Sequence, residues 1–230
     1  MSDEPAAGAA GDESAAPDGQ GPRDVRDVRI CVFGDSFVTG VGDPKALGWV
    51  GRVAARTPPS TGVSLTTYPL GVRGEGAEEV AVRMPMECAP RFARGDEHRV
   101  VLAVGVADAV RGVAPARSAA ALAFGLESVG VPALVMGPPP VGDAEVQGRI
   151  AELDRGYAQL CAQREVPYIT TFEPLSRKTP WQRARADDGL HPDQSGYGML
   201  AYIVLGGGWY PWLGAEPPTS PVKRRHSARE

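Results

Sequence analysis

A chain of 230 residues with 43% hydrophobic residues is long enough for one α/β domain with a sizeable core. Its net charge of −4 is unevenly spread: residues 1–20 carry five acidic groups and no basic one, residues 215–230 carry four basic and two acidic groups, and the stretch between is nearly neutral. That middle carries no nucleic-acid footprint, and no apolar run is long enough to span a membrane.

Residues 1–24 are mostly Ala, Gly, Asp, Glu and Pro with little to bury, so they are expected to form a disordered acidic tail. Residues 214–230, with the short basic cluster Lys223-Arg224-Arg225, are expected to be a second solvated tail. A folded unit over 25–213 lies between them. The N-terminus lacks the basic start and apolar core of a secretory signal. Cys31, Cys88 and Cys161 are odd in number and fall on predicted strand or helix faces. They are expected to be reduced core residues, neither a disulfide frame nor a metal site, in a cytoplasmic protein.

In chain order, Val28 to Phe33 reads as a buried strand and runs into Gly34-Asp35-Ser36-Phe37. A glycine-rich turn, Val38 to Gly42, follows. Lys45 to Thr57 can form a helix that Pro58-Pro59 stops, and Val63 to Tyr68 is β-rich. Gly71 to Gly76 is a loop. From Ala77, the residues Val80, Met84, Cys88 and Phe92 recur at helical spacing, with a kink expected at Pro85. Arg99 to Val104 is a third strand, apolar enough to be covered on both faces. Residues 115–129 are alanine-rich and helical, and Pro132 to Met136 is a fourth strand ended by Gly137 to Pro140. Val146, Ile150, Leu153, Tyr157 and Leu160 mark an amphipathic helix, and Pro167 to Thr171 a fifth strand. A long loop leads to a last helix from Asp193 to Leu205.

Five strands alternating with helices predict a doubly wound parallel sheet in a three-layer α/β/α sandwich, flavodoxin-like in plan. Ligands in such folds bind beyond the carboxyl ends of the strands. Ser36, Gly74, the 105–108 stretch and Pro138 all follow strands and are expected on one rim. A serine between a strand end and a helix start is a candidate nucleophile whose backbone N–H can help hold an oxyanion; the alternative is a helix cap.

Such a serine needs a base. Of three histidines, His226 lies in the expected tail and His98 precedes strand three, on the wrong rim. His191 remains, in Asp187-Asp188-Gly189-Leu190-His191-Pro192-Asp193. Asp188, three residues upstream, is favoured over Asp187 as the carboxylate that accepts the Nδ1 proton and leaves Nε2 for Ser36. The alternative is an exposed turn with Asp193 as an N-cap.

A Gly-Asp-Ser after strand one with an Asp-x-x-His near the C-terminus resembles the GDSL, or SGNH, hydrolases. Leu70-Gly71-Val72-Arg73-Gly74-Glu75 looks like that family's second block, and Val101 to Asp108 like its third. The resemblance spans about residues 27–205 and implies the SGNH hydrolase fold. It implies Ser36 as nucleophile and first oxyanion N–H, Gly74 as second donor, His191 as base and Asp188 as its orienter. The family places an asparagine, a third oxyanion donor, where this chain has Ala107. One such donor is typically worth about 10²–10³ in kcat.

The resulting expectation is a serine hydrolase of a small carboxylic ester or thioester that works through an acyl-enzyme. It would need no cofactor or metal and would be a monomer or weak homo-oligomer. Phe37, Trp49, Pro138 to Pro140 and Trp181 are candidate linings of an acyl pocket, with ordinary core or surface packing as the alternative. An acyltransferase using the same Ser36, or a degenerate ligand-binding protein, are the alternatives that Ala107 raises.

Overall fold

The structure is a computed structural model, and it describes residues 25–185 and 188–218. The expected tails fall chiefly on residues 1–24 and 219–230, outside the described residues, as do Asp187 and His226.

Five strands form one parallel sheet: β1 (Arg26–Gly34), β2 (Val63–Gly71), β3 (Glu97–Ala103), β4 (Ala133–Met136) and β5 (Tyr168–Ile169), in the order β2-β1-β3-β4-β5. The helices are α1 (Ser36–Thr39), α2 (Gly48–Ala54), α3 (Ala77–Arg91), α4 (Val106–Arg111) and α5 (Pro115–Val129). They continue as α6 (Ala144–Gln163), α7 (Phe172–Ser176), α8 (Thr179–Arg183), α9 (Gln194–Val204) and α10 (Tyr210–Leu213). Helices cover both faces of the sheet: α3, α5 and α6 pack as neighbours, and α2 packs against α9. The predicted three-layer, doubly wound α/β architecture is therefore the observed one.

Burial explains the sheet's composition. In β1, Val28, Ile30, Cys31, Val32 and Phe33 are all fully buried, because a central strand between two helical layers has no solvent face. Strand β2 lies at the edge, and beyond the buried Val63 its residues are half-buried or exposed. It runs on through Pro69, opposite Val32, because an edge strand tolerates a missing N–H.

Four expectations change in detail. The helix predicted from Lys45 begins only at Gly48, because the Asp43 carboxylate takes the N–H groups of Lys45 at 3.1 Å, Leu47 at 3.2 Å and Gly48 at 2.9 Å and holds the segment as a turn. The α3 helix passes through Pro85 without a break, held by the burial of Val80, Ala81, Met84 and Cys88. The fifth strand has two residues, not five. Beyond it Thr170 turns its hydroxyl to Asp154, and Thr171 donates to the Gly137 carbonyl at 2.7 Å. The long loop after β5 holds α7 and α8, whose short turns lack a periodic signal.

The order of the strands locates the site. From β1 the chain steps to β2 on one side and then crosses to β3 on the other, so the crevice at the carboxyl ends of β1 and β3 is a topological switch point. In register, Gly34 at the end of β1 pairs with both Gly71 and Ala103. The loops after these three strands therefore start at one level.

Candidate active site

Ser36 is placed by the abrupt turn that ends β1. A Cβ on Gly34 would come 2.2 Å from the Ala103 carbonyl oxygen and 2.6 Å from a Val38 methyl, so only glycine lets the two strand ends close. Asp35 then caps α1 by accepting the Phe37 N–H at 2.9 Å, which leaves Ser36 as the first helical residue, buried but facing the rim.

The Asp188–His191 turn meets Ser36 from the other end of the sequence. Asp188 Oδ1 accepts the N–H groups of Leu190 and His191, both at 2.9 Å. Its Oδ2 lies 2.5 Å from His191 Nδ1, and His191 Nε2 lies 2.8 Å from Ser36 Oγ. The imidazole is nearly enclosed while Asp188 is about half exposed, with side-chain exposures of 5% and 48%. Partial burial works against ionisation of Asp188. The hydrogen bonds from the His191 ring and from the two backbone N–H groups outweigh it and hold the carboxyl at about 2. Asp193 caps α9 through Ser195 and Gly196, at 2.7 and 2.9 Å, so the capped turn and the Ser–His–Asp contact coexist. The Phe37 ring sits 5.6 Å from the imidazole.

The two predicted oxyanion positions reach the same cavity. Gly74 lines it from the loop after β2 with φ +80°, a left-handed conformation that favours glycine. Ala107 lines it from the first turn of α4 and presents only a methyl group. Its own N–H is directed to Asp35 Oδ2 at 3.3 Å, so that N–H is already engaged. Asp35 thereby ties the Ser36 turn to the 105–108 stretch. Burial pushes the Asp35 carboxyl up to about 6, against the pull of the Phe37 and Ala107 N–H groups.

The cavity has a volume of about 350 Å³. Besides Ser36, His191, Gly74 and Ala107, its walls include Asp35, Arg73, Val106, Val110, Arg111 and Leu190. Sequence reasoning assigned these six no role. Val106 and Val110 are four residues apart on α4, a helix too short to register as periodic, and Arg73 stands beside Gly74 in a loop already placed on the rim.

Of the two readings open for the candidate pocket linings, core packing is the one observed. Trp49 and Trp181 are core residues, 1% and 2% exposed, and Trp181 donates its indole N–H to the Pro140 carbonyl at 2.9 Å. Pro138 to Pro140 are buried with it, and Phe37 packs beneath the histidine. Large aromatic rings gain more from filling the core than from lining an open cleft.

His98 lies at the amino end of β3, stacked on Phe92, and its Nε2 is 2.8 Å from the Arg94 carbonyl. Among the described residues no group of three or more His, Cys, Asp and Glu is placed to hold a metal ion, and Cys31, Cys88 and Cys161 are free and buried. No described helix is long and apolar enough to cross a membrane.

Known structures share this arrangement of strands and helices. A lipase/acylhydrolase from Enterococcus faecalis is 22% identical, with a TM-score of 0.66 over 84% of this chain and 99% of its own. TesA is 22% identical, with a TM-score of 0.67 over 80% and 99%. A catalytic mutant of an acetylxylan esterase from Geobacillus stearothermophilus is 18% identical, with a TM-score of 0.63 over 80% and 95%. At such identities these likenesses speak for the fold. No curated protein sequence matches. The profile of the GDSL-like lipase/acylhydrolase family matches residues 32–199, which run from the end of β1 into α9 and enclose every residue of the Ser36 cavity. The chain belongs to the GDSL-like lipase/acylhydrolase family and is an esterase-type hydrolase.

Proposed function

We propose that this protein hydrolyses a small carboxylic ester or thioester through an acyl-enzyme on Ser36, with His191 as base and Asp188 as its orienter. The observation that carries this reading is the continuous contact from Ser36 Oγ to His191 Nε2 at 2.8 Å and from His191 Nδ1 to Asp188 at 2.5 Å. Asp188, held ionised, accepts a hydrogen bond from Nδ1–H and so presents Nε2 as the lone-pair nitrogen. As Ser36 Oγ attacks the carbonyl carbon, its proton passes to Nε2. The backbone N–H groups of Ser36 and Gly74 face the oxyanion. The protonated imidazole then gives that proton to the departing alkoxide or thiolate. In the second half, His191 takes a proton from water as the water oxygen attacks the acyl carbonyl; the Ser36 Oγ–carbon bond then breaks, the acid leaves, and the imidazolium returns its proton to Ser36 Oγ.

All these residues come from one chain and lie between 35 and 191, within the 25–213 unit, so we propose that a monomer suffices for activity. The three free thiols suit a reducing compartment such as the cytoplasm. Ala107 deprives the oxyanion of a side-chain donor, and turnover of simple esters is accordingly slow in this reading. The test is the hydrolysis rate of short-chain nitrophenyl esters by the wild type, Ser36→Ala and His191→Ala. Both variants are expected to fall to background while retaining the wild-type circular dichroism spectrum. A folded His191→Ala protein with undiminished turnover would remove His191 from the reaction.

A further inference from the structure

The cavity that holds Ser36 adjoins a second one of about 430 Å³, and Val110 and Leu190 wall both. Past that shared wall the second cavity is lined by Val141 and Val146, with Gly142, Gly189 and the carboxylates of Asp143 and Asp188 at its polar edge. With Val106 in the first cavity, apolar side chains form a path that leads away from the serine. The first cavity also carries two guanidinium groups, and they differ in their commitments. Arg111 forms a two-pronged contact with Glu79 at 2.7 and 3.0 Å and lies 3.7 Å from Asp108, so its charge is largely offset. Arg73 is exposed in the cavity wall and, among the described residues, forms no ion pair. It directly precedes Gly74, which keeps its guanidinium within one side chain's reach of the reacting carbonyl.

A planar guanidinium with five donors matches the two oxygens of a carboxylate or phosphate, and solvent-facing arginines in a substrate cleft are suited to that contact. From this juxtaposition we propose that the natural substrate is an ester or thioester bearing a carboxylate or phosphate, held by Arg73. Its apolar chain crosses Val110 and Leu190 towards Val141 and Val146. This rests on the serine-esterase reading and names the class of substrate for it.

Three thioesters test it with the full chain. S-butyryl-N-acetylcysteamine is neutral, S-succinyl-N-acetylcysteamine carries a carboxylate on an acyl chain of the same length, and S-butyryl-phosphopantetheine carries a phosphate on the thiol side. At low salt, at least one anionic thioester is expected to show a kcat/KM about tenfold above the neutral one, the worth of a charge-assisted contact at a wet site. The arm that shows it identifies the source of the anion. Arg73→Ala is expected to erase the advantage while leaving the neutral thioester within about twofold, and raising the ionic strength is expected to erode it in the wild type. Lengthening the neutral acyl chain from acetyl to butyryl is expected to raise kcat/KM about threefold per methylene.

The proposal is overturned if the wild type prefers neither anion, or if the preference survives Arg73→Ala. It is also overturned if the variant slows the neutral and anionic thioesters equally, which would make Arg73 an oxyanion donor. Labelling with a fluorophosphonate separates this from the underlying reading. A Ser36 that labels and hydrolyses thioesters without regard to charge defeats the substrate class alone. A Ser36 that neither labels nor turns over any of the three defeats both.

Discussion

Asp35, Ala107 and Asp188 each act on the proposed nucleophile through a different force. Asp35 is a buried carboxylate that holds two N–H groups, Asp188 is a half-exposed one that holds an imidazole, and Ala107 withholds a donor. Replacing Asp188 with Asn should leave the fold intact and lower kcat by about 10²-fold or more, because the backbone N–H groups of Leu190 and His191 keep the amide oxygen, the NH2 then faces Nδ1 and favours the wrong tautomer, and ionic support for the imidazolium is lost. Steady-state kinetics with a matched thermal melt measures it. Ala107→Asn should restore an oxyanion donor and raise kcat on neutral esters by about tenfold, part of the full worth of such a donor. An unchanged kcat would mean that the oxyanion is already fully held. Asp35→Asn should lower kcat, because an amide cannot accept both the Phe37 and the Ala107 N–H, while sparing the protein the burial of a charge.

Helix α2 and the turn before it depend on one buried pair. Asp43 is fully buried in its side chain, pairs with Arg52 and caps three backbone N–H groups. The Arg52 hydrogen bond, ahead of the opposing effect of burial, brings the Asp43 carboxyl down to about 2. A carboxyl lowered on folding stabilises the protein above its ordinary range near 4, and that contribution disappears as the pH falls towards 2. Asp43→Asn should therefore cost about 3 kcal/mol at pH 7, since it leaves a buried arginine unpaired. Denaturant titrations at pH 7 and pH 3 should show the difference from wild type shrinking at the lower pH. Much of this layer was legible in the sequence: β1, β4, α5 and α9 lie within a residue or two of where periodicity and proline placed them. The helix start at Gly48 was not, because it turns on a side chain reaching back from Asp43, a contact that no periodicity encodes. The same holds for α4, whose six residues carry four of the cavity's lining side chains but less than two turns of pattern.

At the scale of the whole molecule, the parallel sheet brings residues 155 positions apart into contact, Ser36 and His191. Their pairing was foreseeable because, of the three histidines, His98 precedes β3 and His226 falls in the expected tail, and Asp188 was foreseeable from its three-residue spacing. The cavity walls were not, because Leu190, Val110 and Arg73 converge only after three separate crossovers. Gly34 sits where β1, β2 and β3 end together. Gly34→Ala should force that junction apart, lowering both the melting temperature and kcat, whereas a change confined to the cavity wall such as Arg73→Ala should leave the melting temperature unchanged. The account stands on Ser36 becoming acylated. Intact-mass spectrometry after mixing the wild type with an activated acyl ester should show a single added acyl group that maps to Ser36 and is absent from Ser36→Ala. An adduct of equal yield in Ser36→Ala, or none in the wild type across a panel of neutral and anionic esters, would contradict it.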